Sequence, residues 1–128
     1  MPNTKIETCS GWIDDASMVI NAVQSALRDA LQLPEWDRTL RLFEHDPTHF
    51  GCPPGKGPRY MLIEITMFAG RSLDAKRSLY KAIVKNLGAL GVPADDIKIT
   101  LIEAPLENWG VRGGHPASEI PLGFKINV

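Results

Sequence analysis

From Tyr60 to Phe68 the chain reads Tyr-Met-Leu-Ile-Glu-Ile-Thr-Met-Phe, apolar at most positions and free of glycine and proline, which predicts a strand. Ala69-Gly70-Arg71 predicts a sharp corner. Beyond Ser72, Leu79, Ile83, Val84, Leu87 and Leu90 recur at steps of three and four residues, the spacing that gathers side chains on one face of a helix. Gly88 and Gly91 weaken the end of that helix, and Pro93 cannot continue it. Ile97–Glu103 is then a second apolar, β-branched run. Two strands joined by a helix form a βαβ unit, in which the strands lie parallel and the crossover is right-handed.

The first half repeats this order. Residues 2–8 alternate weakly as a strand, Gly11 turns the chain, and Asp14 or Asp15 is placed to cap a helix by accepting a free backbone N–H. Met18, Val19, Val23, Ala26, Leu27, Ala30 and Leu31 give the helical period, Leu33-Pro34 closes it, and residues 38–44 alternate as a half-buried strand around Leu40 and Leu42. Gly11 and Gly70, Pro34 and Pro93, Asp37 and Asp96, and Glu44 and Glu103 are all separated by 59 residues, as are Ile6 and Ile65. One offset shared by punctuation and core positions marks a tandem repeat. The predicted fold is α/β (α+β): a four-stranded, mainly parallel-paired sheet with two helices on one face and a short C-terminal hairpin or edge strand. The predicted organisation is a single domain, 1–128, made of halves at about 2–45 and 60–103. A Pro/Gly-rich loop, 46–58, joins them, and a glycine-rich segment, 104–128, follows, in which 123–128 is the candidate edge strand.

Charge and composition narrow the function. A formal net charge of -1 over 128 residues leaves no basic footprint for nucleic acid or an anionic membrane surface. No apolar run is long enough to span a bilayer, and the polar start does not read as a signal peptide. Two cysteines, Cys9 and Cys52, make no disulfide framework, so a reducing cytoplasm is the expected setting. His45, His49 and Cys52 have metal-ligating side chains but supply three ligands and no fourth, so no metal is expected. Gly51–Lys56 has the wrong spacing and the wrong following element for a phosphate loop.

Gly70-Arg71-Ser72 at a strand-to-helix corner, the apolar-Pro turn, then Trp109-Gly110-Val111-Arg112-Gly113-Gly114 with Ala117-Ser118 resemble the tautomerase superfamily, in its 4-oxalocrotonate tautomerase branch. The likeness is strongest over about residues 60–120. The doubled length is similar to fused members such as malonate semialdehyde decarboxylase and cis-3-chloroacrylic acid dehalogenase, which implies a homotrimer. In that superfamily an N-terminal proline, exposed by removal of the initiator methionine, is the catalytic group; here that position is Pro2. A free proline is a secondary amine, and an apolar pocket among cations lowers its pKa toward the range where a general base works. A proline also fits the start of the first strand for purely structural reasons, because the missing N–H costs nothing there.

The resemblance implies further roles. Arg71 would bind the substrate carboxylate, a task suited to its planar guanidinium and to the nearby helix N-terminus. Trp109 is a pocket wall or a core residue, and Arg112 a second cation or a solvated one. Asp37 is either a water-activating carboxylate or, like Asp96, a turn residue. Lys98 lies near the family's second cationic position. Ala69 stands where some fused members keep a second arginine, and Trp12 occupies the place of Arg71 in the first half. The implied activity is a tautomerase-type isomerisation of a small enol or 2-oxo carboxylic acid. The alternatives are hydration, dehalogenation or decarboxylation on the same scaffold, or a non-catalytic trimeric binding protein. No cofactor is implied, because the amine carries the chemistry.

Overall fold

A computed structural model describes residues 1–126 and residue 128. Strand β1 is Asn3–Cys9, helix α1 Ala16–Leu31, β2 Leu40–His45, β3 Met61–Phe68, α2 Leu73–Gly88 and β4 Ile97–Ala104. The two-residue strands β5, Gly110–Val111, and β6, His115–Pro116, form the expected hairpin. Both helices begin where the sequence signals them. The Asp15 side chain accepts from the Ser17 N–H, and the Ser72 side chain accepts from the Ala75 N–H. The corners ahead of them turn through Gly11 and Gly70, at φ of 106° and 123°, a region that only glycine enters without strain.

The main sheet has the order β2-β1-β3-β4. Within each half the strands are parallel, β1 with β2 and β3 with β4, while β1 and β3 meet antiparallel at the centre. The halves are therefore related by an approximate two-fold through the middle of the sheet. One face is covered by α1 and α2, where Ile6, Ile63, Ile65, Leu27, Leu31, Leu79, Ile83 and Leu87 are almost wholly buried. Each such side chain contributes roughly 1.5–3 kcal/mol by leaving water. Asn86 Nδ2 donates to the Ala22 carbonyl at 3.0 Å and ties the helices to each other. The opposite sheet face carries Lys5, Glu7, Glu64, His45 and Lys98, with a Lys5–Glu64 ion pair at 3.8 Å and His45 Nε2 at 3.1 Å from Glu7 Oε1. Phe43 and Ile102 are exposed on the same face.

Most strand boundaries differ from expectation by a single residue, and two differ by more. Strand β2 starts at Leu40 instead of Arg38, because only the Thr39 carbonyl joins the ladder, accepting from the Thr4 N–H at 3.0 Å. Residues 123, 124 and 126 form bends where an edge strand is expected, and Asn127 of that expectation lies outside the described residues. No described helix is long and apolar enough to cross a membrane.

Candidate active site

The antiparallel β1–β3 pairing sets Asn3 beside Thr66, so the start of β1 lies at the same end of the sheet as the end of β3. Parallel pairing brings the turn before β2 and the segment after β4 to that end as well. Four separate stretches thus deliver Pro2, Asp37, Arg71 and Trp109 to one place.

Pro2 is buried, and the amino group of Met1 ahead of it stands 3.1 Å from Asp37 Oδ2. Burial lowers the pKa of this amine from its usual 8.0. The Asp37 charge and hydrogen bond pull it back up, and the Arg71 charge pushes it down further. Asp37 is only 4% exposed. Its N–H donates to the Pro34 carbonyl at 3.1 Å, and its own carbonyl accepts from the buried Gln24 Nε2 at 3.0 Å. The turn is therefore fixed from both sides, and the carboxylate is aimed at the amino terminus.

Arg71 is 7% exposed, held at the strand–helix corner. Its Nη1 donates to the carbonyls of Leu31 and Lys125, each at 3.2 Å, and its Nε has no partner among the described residues. Burial draws its pKa down while Asp37 opposes, and a guanidinium so placed stays charged. Trp109 packs edge-on against Phe68 at 4.8 Å and donates from Nε1 to the Ala104 carbonyl at 3.2 Å. Arg112, at φ 49°, donates to the Pro121 carbonyl at 2.9 Å and stays at the surface.

At this end of the sheet lies a cavity of about 370 Å³, lined by Met1, Asn3, Trp36, Asp37, Arg38, Thr39, Trp109, Gly110 and Val111, with Pro2 and Arg71 outside the lining. The structure thus brings the amino terminus, Asp37 and Trp109 to the cavity and places Arg71 close behind it. Arg112 is not among the lining residues. Lys98 sits near the start of β4, at the opposite end of the sheet. Sequence reasoning missed Trp36 and Arg38. The available signal was their position on either side of Asp37 in a turn that the strand pattern did not absorb.

The pseudo-equivalent end of the sheet is arranged differently. Asp96, the counterpart of Asp37, accepts from the Gly57 N–H at 3.3 Å. Arg59 Nη1 donates to the Leu90 carbonyl at 3.4 Å, and Leu90 is the counterpart of Leu31. The Arg59 guanidinium also sits over the Trp12 ring at 5.3 Å. A cation thus reads the same helix-end carbonyl at both ends, supplied by the strand–helix corner at one and by the connecting loop at the other.

Comparisons with known proteins bear on the family and the fold. The family model described as "Tautomerase enzyme" matches residues 37–112. A probable tautomerase of Ralstonia nicotianae is 32% identical over 53 residues, which are 41% of this chain and 76% of that protein. The 2-hydroxymuconate tautomerase of Comamonas testosteroni is 31% identical over 51 residues, 39% of this chain and 81% of that protein. Among solved structures, native fused 4-OT superimposes with a TM-score of 0.81 at 25% identity, covering 95% of this chain and 99% of that one. FG41 malonate semialdehyde decarboxylase inhibited by 3-bromopropiolate gives 0.80 at 25% identity, covering 93% and 99%. With more than half of its length matched by the family model and its whole sheet shared with these structures, the chain belongs to the tautomerase family.

Proposed function

We propose that the chain, once Met1 is removed, is a tautomerase that uses the Pro2 amine as general base and acid on a small enol or 2-oxo carboxylic acid. The observation that carries this reading is the amino terminus itself, set in a cavity at 3.1 Å from Asp37 with its pKa lowered by burial and by Arg71. Removing one residue turns the Pro2 nitrogen from an amide into a secondary amine a single residue along from the position seen here. That nitrogen takes a proton from the enol hydroxyl and returns it to the carbon at the far end of the conjugated system, so the proton count closes and the amine is regenerated. Asp37 stabilises the protonated amine between the two transfers, and Trp36 and Trp109 keep the walls apolar. Arg71 contributes a positive field from behind the cavity, favouring an anionic substrate.

The test is turnover of a panel of enol and 2-oxo acids by protein whose intact mass shows loss of Met1, with Pro2→Ala as the control. Turnover is expected to fall at least a hundredfold in Pro2→Ala; equal turnover in the two proteins would refute the proline mechanism. A second reading, hydration or decarboxylation, is favoured by Asp37, a carboxylate in the cavity that could activate water. It predicts that Asp37→Asn abolishes the hydrolytic or decarboxylating reaction while proton transfer on an enol survives.

We also propose that the chain forms a trimer in a reducing cytoplasm. The sheet face opposite the helices is uncovered and exposes Phe43 and Ile102, a described fused 4-OT of the same fold is a symmetric trimer, and both cysteines are free.

A further inference from the structure

We infer that Arg38 makes a direct contact with the carboxylate of whatever acid enters the cavity; the inference rests on the anionic-substrate reading above. Three observations support it. First, Arg38 is the only arginine among the residues lining the cavity. It stands immediately after Asp37, on an exposed stretch ahead of β2, and shares the cavity lining with Trp109.

Second, Arg71 is set back from the cavity lining, although its Nε has no partner among the described residues. It is almost wholly buried, and its Nη1 is shared between two backbone carbonyls, one from the end of α1 and one from the C-terminal segment. A substrate carboxylate would have to displace the Lys125 carbonyl before it could reach that nitrogen. Arg38, in contrast, makes one side-chain hydrogen bond among the described residues, from Nη2 to Asn21 Oδ1 on α1, and no carboxylate there pairs with it. That single tether orients the guanidinium and leaves its other N–H groups for a ligand.

Third, the charges balance in favour of an anion. The cavity lining holds the amine, Asp37 and Arg38, while Arg71 lies behind. Asp37 is answered by the amine at 3.1 Å, while Arg38, on the lining, has no carboxylate partner among the described residues. The aromatic walls at Trp36 and Trp109 suit an unsaturated body between the two ends. The ligand class is therefore a small, planar, unsaturated carboxylate. Its acid group meets Arg38 at the rim and its reacting carbon or hydroxyl meets the amine below.

The test separates this contact from turnover. Malonate, which has no enol to react, is titrated into 15N-labelled protein while the three tryptophan indole N–H signals are followed. The Trp36 and Trp109 signals are expected to shift saturably, and Trp12, at the other end of the sheet, reports that the protein is folded and stays still. In Arg38→Gln the malonate dissociation constant is expected to rise tenfold or more, and Arg38→Lys, which keeps the charge, should lose less. Neutral malonamide should not bind the unsubstituted protein. Unchanged malonate affinity in Arg38→Gln, or malonamide binding as well as malonate, would overturn the inference. The two readings fail separately. Loss of malonate binding in Arg38→Gln with no Pro2-dependent turnover of any acid would leave the contact and remove the tautomerase. Pro2-dependent turnover with the same KM in Arg38→Gln would do the reverse.

Discussion

Asp37 and Asp96 occupy the same turn 59 residues apart, and both are buried, yet they face different partners. One meets an amino group and lines a cavity; the other is closed by the Gly57 N–H. Their substitutions should therefore separate. Asp96→Asn weakens a charge-assisted bond and is expected to cost about 1–3 kcal/mol of stability without changing turnover, read from denaturant melts and a rate assay. Asp37→Asn should instead move the amine. Because the carboxylate raises the amine pKa and burial lowers it, removing the charge is expected to drop the titration midpoint further below 8.0, measured by NMR of the reductively methylated amine in the Met1-bearing chain. The sign fixes the pH dependence. A depressed amine pKa means that the folded state resists protonation. Its contribution to stability is complete above pH 8.0 and is lost as pH falls through the folded value. At this scale the sequence marked Asp37 and Trp109 as candidates with two readings each, and the structure sets both on the cavity lining. Arg38 was not legible, because its place in the strand alternation hid that it lies outside the ladder. Nor could spacing alone reveal that Arg71 turns inward onto the Leu31 carbonyl.

The helices and strands hold the site in place through two kinds of contact, packing and carbonyl reading. Leu79 is fully buried between α2 and the sheet, so Leu79→Ala is expected to cost about 2–5 kcal/mol in a thermal or denaturant melt. Gly91, after the end of α2, has φ 89°, and a Cβ there would lie 2.2 Å from Arg59 Nη1. Gly91→Ala should therefore destabilise by roughly 1–3 kcal/mol while leaving the cavity at the opposite end intact, a combination that a melt and an activity assay together resolve. The elements themselves were readable because their signals are local: Asp15 and Ser72 as caps, Gly11 and Gly70 as corners, Pro34 and Pro93 as stops. The order of the strands was not. Nothing in a periodicity of two or 3.6 says that β1 meets β3 antiparallel, and that one pairing brings Pro2 to the end of the sheet where Arg71 lies. The bends at 123, 124 and 126 likewise follow from tertiary contacts, since Phe124 stacks near Phe68 at 6.5 Å and meets Trp36 edge-on at 6.3 Å instead of extending a ladder.

For the whole molecule, the uncovered sheet face is the feature that asks for a partner. Sedimentation is expected to give three times the 14.1 kDa chain mass, and Ile102→Lys on that face should shift the population toward monomer; a monomeric starting protein would refute the assembly. The connection from β2 to β3 has a consequence of its own. Both the end of β2 and the start of β3 lie at the Asp96 end, so the loop joining the halves must run across it. In doing so it ties what would be a second chain start into an ordinary peptide bond at Tyr60-Met61. Two halves that resemble each other in shape therefore carry one free amino terminus between them. An active-site titration with an amine-directed inactivator should reach its end point at one equivalent per chain, and a full trimer should consume three equivalents, half the number that its six βαβ units would suggest.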